Sequence, residues 1–223
     1  ALIGSVSEDA IIFSYQRDFF ISESYYYHFF ENYRTDVKIV DKELLRRSWY
    51  YNQLNNYDSS LLKGIKNEID QFLIALQPFE QGKNFDANKL ENLYRTIMSK
   101  LITTNIDKRD FYIAPELVEQ EMKRGEFVLP PGYSLVPDLF LFKVVKGNEY
   151  VPADDPDFKI RFPEKRNHYM DSIEKFIGTI LSNRAAYEIR YGKQDRAKIY
   201  VQKIISDLPN FRIPPQLQQI INN

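Results

Sequence analysis

The stretch from Asp9 to Arg47, DAIIFSYQRDFFISESYYYHFFENYRTDVKIVDKELLRR, reads as strand, helix, strand, and the rest of the chain is placed around it. Ala10 to Tyr15 is an apolar run too short for a helix and rich in isoleucine and aromatics, as in a strand buried on both faces of a parallel sheet. From Asp18 to Tyr33 the side chains Phe19, Phe20, Ile21, Tyr25, Tyr26, Tyr27, Phe29, Phe30 and Tyr33 cover almost the whole circumference of a helix. Such a helix is expected to be enclosed by other elements. Val37 to Asp41 supplies a second strand one helix length later. A unit of this kind crosses over within a parallel sheet, so both strand C-terminal ends open on the same edge.

Composition sets the outer bounds. The 223 residues hold one large domain or two small ones, with enough length to bury a core. The formal charge of −1 and a pI near 6.2 exclude a general nucleic-acid binder, since phosphate recognition needs a clustered basic excess. No apolar run approaches the roughly 18 residues of a membrane span, and no export signal is recognisable, so a chain that neither spans a membrane nor carries its own address is expected. The absence of cysteine removes disulfides, thiol catalysis and zinc-thiolate sites.

Further along, Lys42 to Tyr57 reads as a loop and a short helix, Leu61 to Leu76 as an amphipathic helix ending before Pro78, and Ala87 to Thr103 as a long helix capped by Asp86. Phe111 to Ala114 is a third strand closed by Pro115. Glu126 to Val145 suggests an antiparallel pair at a sheet edge, with Pro130, Pro131 and Gly132 as its turn. Gly147 to Lys165 is rich in Pro, Asp and Lys and reads as a linker. Helices at Tyr169 to Tyr191 and Asp195 to Leu208 follow. Aligning Gly192 with the turn glycine of a tetratricopeptide unit of roughly 34 residues puts Ala185, Ala197 and Pro209 at its small, small and proline positions. Glu188 falls where an aromatic is usual. The expectation is an α/β fold: a small, mainly parallel sheet with flanking helices in Rossmann-like layers, an antiparallel edge pair and a C-terminal tetratricopeptide-like hairpin. The domains divide as 1–146, a linker at 147–166, and a helical segment at 167–223.

In open parallel sheets ligands bind outside the strand C-terminal ends. That places candidate binding residues at Tyr15, Gln16 and Asp18, at Asp41 and Glu43, and at Glu116. Asp41 stands where dinucleotide folds hold a ribose, but the first turn, SYQRD, has no glycine, so phosphates cannot approach that backbone. Asp18 suits the first turn of a helix. Arg46 and Arg47 beside Trp49 and Tyr50 suggest a clamp for a carboxylate, phosphate or sugar, or else a solvated pair next to a buried tryptophan. His28 reads as a core residue and His168 as a surface one. Two distant histidines give neither metal-ligand spacing nor a triad. Asp154, Asp155 and Asp157 lack the remaining ligands of a calcium loop. No G-x-S-x-G elbow or P-loop is present, so no catalytic residue, metal or cofactor is expected.

AIIFSYQRDFFISESYYYHFFENYRTDVKIVDKELLRRSWYYNQL, and most specifically its RTDVKIVDKELL and SWYYNQL pieces, resembles the start of the soluble C-terminal portion of a bacterial family of multi-spanning membrane proteins related to protein O-mannosyltransferases. More loosely the likeness extends through RDFYIAPEL to AYEIRYGKQDRAKIYVQKIISDLPNF. The resemblance implies an extracytoplasmic, periplasmic-side domain of a GT-C-like protein, joined to the membrane only through a portion absent from this chain. Catalytic acids would lie in that portion, so none is carried over here. Where many members have an acidic GDND-like turn, this chain has SYQRD, and no metal or sugar-nucleotide role is assigned to it. The expected function is therefore a non-catalytic domain recognising an acceptor, a glycan or a protein. The alternatives are a tetratricopeptide-type interaction scaffold and a carbohydrate-active enzyme with carboxylates at the strand ends.

Overall fold

A computed structural model of the chain describes residues 2–16, 20–218 and 220. Among these residues the strands are β1 (Ile11–Ser14), β2 (Lys38–Asp41), β3 (Phe111–Ile113), β4 (Tyr133–Asp138) and β5 (Leu141–Lys146). They form one mixed sheet in the order β2-β1-β3-β5-β4, parallel at its centre and antiparallel at its edge. The helices are α1 (Ser22–Phe29), α2 (Ser48–Tyr57), α3 (Lys66–Glu80), α4 (Ala87–Asn105), α5 (His168–Arg190), α6 (Gln194–Asp207) and α7 (Pro215–Gln218). None of them is long and apolar enough to cross a membrane. The fold is thus α/β, with flanking helices and a C-terminal helical region.

Two compact units divide the chain: Ala1–Ser134 with Val144–Gly147, and Leu135–Lys143 with Asn148–Asn223. In the first, β1 is buried along its whole length and pairs on both sides, Ile12 lying opposite Ile39 of β2 and opposite Tyr112 of β3. The chain leaves β1 for one neighbour and later crosses to the other, so a topological switch point falls between β1 and β3. The rings of Phe13 and Phe111 meet edge to face across it, with centroids 4.7 Å apart. Ile69, Phe72 and Leu76 of α3 and Tyr94, Ile97, Met98 and Leu101 of α4 are buried with the sheet.

The RTDVKIVDKELL and SWYYNQL stretches have specific structural tasks. Arg34 gives hydrogen bonds to the carbonyls of Ile3 and Val6, both 3.0 Å, and of Ser7, 2.8 Å, and is itself held by Asp36. In SWYYNQL the Tyr50 hydroxyl accepts the Asp41 amide at 2.9 Å, and the Tyr51 hydroxyl donates to the Leu45 carbonyl at 2.6 Å. Both tyrosines are buried, so these bonds fix α2 against the end of β2.

Several expectations are corrected. The aromatic helix is not enclosed: Tyr26, Tyr27, Phe29, Phe30 and Tyr33 are all exposed, because the residues that α1 buries are Ser24 and His28. The third helix begins at Lys66 rather than Leu61 and runs through Pro78 to Glu80. Proline frees the carbonyl four residues back, and Ile74 on that face is 73% exposed, so water is at hand to take the bond. The edge hairpin turns at Leu139 and Phe140, not at Pro130 to Gly132, which instead leads into β4. Pro137 sits in β4, at the end of the sheet order, where a missing ladder donor is tolerated.

In the second unit α5 and α6 form an antiparallel pair around Gly192, whose φ of 72° suits glycine at this left-handed position. Ala185, Ala197, Tyr200, Val201 and Ile204 are completely buried between them and their surroundings. Residues 148–163 carry no regular structure but are held to the helices. The Arg184 guanidinium donates to the carbonyls of Pro137 and Val151 at 2.8 and 2.9 Å, the Tyr187 hydroxyl accepts the Val151 amide at 2.8 Å, and Tyr200 donates to the Asp154 carbonyl at 2.8 Å. Gly178 of α5 lies under the ring of Phe211, where an added Cβ would come within 2.3 Å. Gly178→Ala should therefore lower the urea midpoint, by about 1–3 kcal/mol in stability, although alanine ordinarily stabilises a helix interior. Adding Phe211→Ala should recover part of the loss. A gain in stability from Gly178→Ala alone would show that the ring does not hold this contact.

Candidate functional site

The strand pairing brings three chain segments to one edge. The amide of Lys42 donates to the Ser14 carbonyl at 2.9 Å, and that of Ala114 to the Phe13 carbonyl at 2.9 Å. Ser14, Lys42 and Glu116 therefore converge at the switch point. The Ser14 hydroxyl donates to Glu116 Oε1 at 2.5 Å, and its oxygen accepts the Gln16 amide at 3.1 Å. Burial pushes the Glu116 carboxyl above its ordinary range, against the hydrogen bonds from Ser14 and from the backbone of Tyr15 and Gln16.

Beside this pair lies a buried charge cluster. Lys42 is 4% exposed, and its ammonium sits 2.7 Å from both carboxylate oxygens of Glu121, itself 5% exposed. It also contacts Glu43 at 2.7 Å. The Tyr15 ring lies 5.5 Å from the ammonium, and the Tyr15 hydroxyl donates to Gln120 at 3.0 Å. Burial raises the pKa of this hydroxyl, and the carboxylates of Glu121 and Glu116 raise it further. Glu121 and Gln120 are supplied by a π-helical stretch, Leu117–Met122, directly after β3. Wide turns of this kind are frequent at functional sites.

Each expected site residue can now be placed. Tyr15, Gln16, Glu43 and Glu116 do lie at this edge. Asp41 is 1% exposed and turned into its own loop, where it accepts the amides of Glu43 at 2.9 Å and Leu44 at 3.1 Å. It caps the short turn Leu44–Arg46 and is not presented to a ribose. Asp18 lies outside the described residues. Arg46 stacks on the Tyr94 ring at 3.7 Å and pairs with Glu91 at 2.8 Å. Arg47 is exposed, and Trp49, which the solvated-pair reading expects to be buried, is 52% exposed with its ring edge-on to Tyr50. His28 is buried and His168 exposed. Among the described residues no group of three or more acidic or histidine side chains could hold a metal ion.

Sequence reasoning missed Lys42, Gln120, Glu121 and Tyr94. Lys42 carried a weak signal, a lone cation between two acids at a strand end. Its partner is 79 residues away, and nothing local pairs the two. With Ser14 and Lys42 occupied, Glu43, Glu116 and Glu121 are all engaged by partners within the protein. The arrangement ties the three strand-end segments together through buried polar contacts.

Fold and site together define an α/β protein whose strand-end edge is a closed polar network. Comparison of the chain with protein-family models, with curated proteins and with solved structures finds no match.

Removing one partner of a buried ion pair strands the other charge. Lys42→Met should cost about 3–5 kcal/mol in chemical denaturation, and Lys42→Met with Glu121→Leu should recover most of it. A second expectation concerns His28, whose Nδ1 meets the Tyr57 hydroxyl at 3.2 Å and whose Nε2 has no hydrogen-bond partner among the described residues. Burial, and next the nearby Lys38, lower its pKa. The folded imidazole therefore holds a proton less readily than the unfolded chain, which takes one up as pH falls through the ordinary histidine value of 6.5. Stability should decline from pH 7 to pH 5, and His28→Gln should flatten that part of the profile. An unchanged slope in the variant would assign the decline elsewhere.

Proposed function

We propose that this chain is a non-catalytic recognition domain of a membrane-bound glycosyltransferase-like protein, working on the extracytoplasmic side, and that it binds glycan through the aromatic surface of α1. The observation that carries the reading is the row of exposed rings there. Tyr26, Tyr27, Phe29, Phe30 and Tyr33 are between 46% and 76% exposed. Tyr26 and Phe30 stack with centroids 5.6 Å apart and planes 19° from parallel. Exposed apolar groupings of this size mark interaction surfaces. Flat rings offer the C–H faces of a sugar a stacking platform. The Tyr26 hydroxyl bonded to Glu31 at 2.8 Å adds polar atoms for sugar hydroxyls. A near-neutral chain suits a neutral ligand better than a polyanion.

The sequence resemblance supplies the membrane-protein context. The engaged state of Glu43, Glu116 and Asp41 disfavours the enzyme alternative. An interaction scaffold built on the hairpin of α5 and α6 would need an exposed concave apolar groove, whereas Ala185, Ala197, Tyr200 and Ile204 are buried.

The test is titration of the full chain with a panel of neutral oligosaccharides, alongside assays of turnover with nucleotide-linked and lipid-linked sugars. Saturable binding to at least one oligosaccharide is expected, weakened tenfold or more by Tyr26→Ala with Phe30→Ala at an unchanged melting temperature. Sugar transfer or hydrolysis by the isolated chain at an enzyme-like rate would overturn the proposal. Glycan binding that the double variant leaves intact would remove α1 as the site.

A further inference from the structure

A second surface lies in the first unit, built from residues that the glycan reading does not use. The C-terminal half of α3, the following loop and the start of α4 enclose a groove of about 270 Å³. Phe72 and Leu76 form its floor and are almost fully buried, while Phe79 and Phe85 stand at its mouth, 44% and 41% exposed, with ring centroids 4.9 Å apart. Three charged residues line it: Arg46, Arg47 and Glu91. Arg46 and Glu91 neutralise each other, and Glu91 also holds Arg95 at 3.0 Å. The Arg47 side chain is exposed and makes no hydrogen bond or ion pair with the described residues. The groove is thus an apolar trough with one cation on its rim, Arg47, that makes no ion pair among the described residues, the Glu80 carboxylate being held by the neighbouring Ser48 amide.

Size and polarity narrow what fits. Sites for drug-sized ligands run from roughly 300 to 1,000 Å³, so this groove is too small for a nucleotide sugar or a dinucleotide. Its floor and mouth present the rings of Phe72, Phe79 and Phe85 and the side chain of Leu76, with no polar side chain among them. An extended peptide laid over them would find no partners there for its amides and carbonyls, at a cost an alkyl chain does not incur. The rim charge then selects an anionic head over a neutral or cationic one. We infer that the groove binds a single alkyl chain bearing an anionic head group, with the chain over Phe72 and Leu76 and the head at Arg47. The site is independent of the α1 surface, and either can fail without the other.

The test uses three probes with the same chain and different heads, decanoate, decanol and decyltrimethylammonium, each titrated calorimetrically into the 223-residue protein below its micellar concentration. Decanoate should bind at one site per chain, about tenfold more tightly than decanol, with decyltrimethylammonium weakest. Arg47→Gln should abolish the preference of decanoate over decanol and leave decanol binding as it was. Ala87→Trp, which fills the groove from an exposed lining position, should remove binding of all three while circular dichroism and melting stay unchanged. Equal affinity for the three heads would overturn the inference. So would non-saturable uptake, or a head-group preference that survives Arg47→Gln.

Discussion

Strand β1 is hydrogen-bonded along both edges and buried on both faces, and the first unit is arranged by that constraint. A strand so placed has no solvent to satisfy its amides, so β2 and β3 must flank it in register. The registers Ser14 opposite Asp41 and Phe13 opposite Ile113 then bring the three strand ends onto one edge. Chain polarity makes this the carboxyl edge, where polar residues follow the apolar runs. Ser14 meets Glu116 there and Lys42 meets Glu121, and the burial of Ser14, Lys42 and Glu121 makes such pairing necessary. The Lys42 to Glu121 pair is thus a consequence of the sheet as well as a support for it.

Tyrosine does two different jobs in this chain. Tyr50, Tyr51, Tyr57 and Tyr94 are largely buried, and each spends its hydroxyl on backbone: the Asp41 amide and the carbonyls of Leu45, Val37 and Lys42 respectively. Burial lifts the pKa of all four, so they remain neutral hydrogen-bonding groups at any ordinary pH. On α1 the same residue type faces outward beside phenylalanine. The difference lies in the helix contact: α1 turns Ser24 and His28 toward the protein, a narrow face that leaves most of its rings outside.

The second unit shows how a buried charge stands in for an apolar contact. Glu188 occupies the position where the tetratricopeptide pattern calls for an aromatic, and it is completely buried. Arg184, one turn earlier, pairs with it at 2.6 Å, and Tyr150 donates to its other oxygen at 3.0 Å. With two carbonyls also on the guanidinium, the charges are satisfied, and the irregular segment before α5 is tied to the helix by the same group. One buried ion pair thus binds the neighbouring strand and loop to the helix.

The amino-acid sequence by itself determined the order and kind of the central elements. Runs such as AIIF, VKIV and FYI dictate strands through local sterics and apolar content, and the three-four spacing in α3 and α4 dictates their buried faces. It also located the edge where Tyr15, Gln16, Glu43 and Glu116 lie, because strand polarity follows from connectivity. Only the tertiary structure decided which of those groups are engaged. Asp41 and Trp49 show why: whether a side chain turns inward or outward at a strand end or a helix start depends on neighbours dozens of residues away. Periodicity could not place the aromatics of α1 either, since a helix apolar all round has no face that local pattern alone can assign to the core. Lys42 met Glu121, and Arg47 was left without an ion pair among the described residues, through packing between distant segments, a property of the folded chain that no short stretch of sequence encodes.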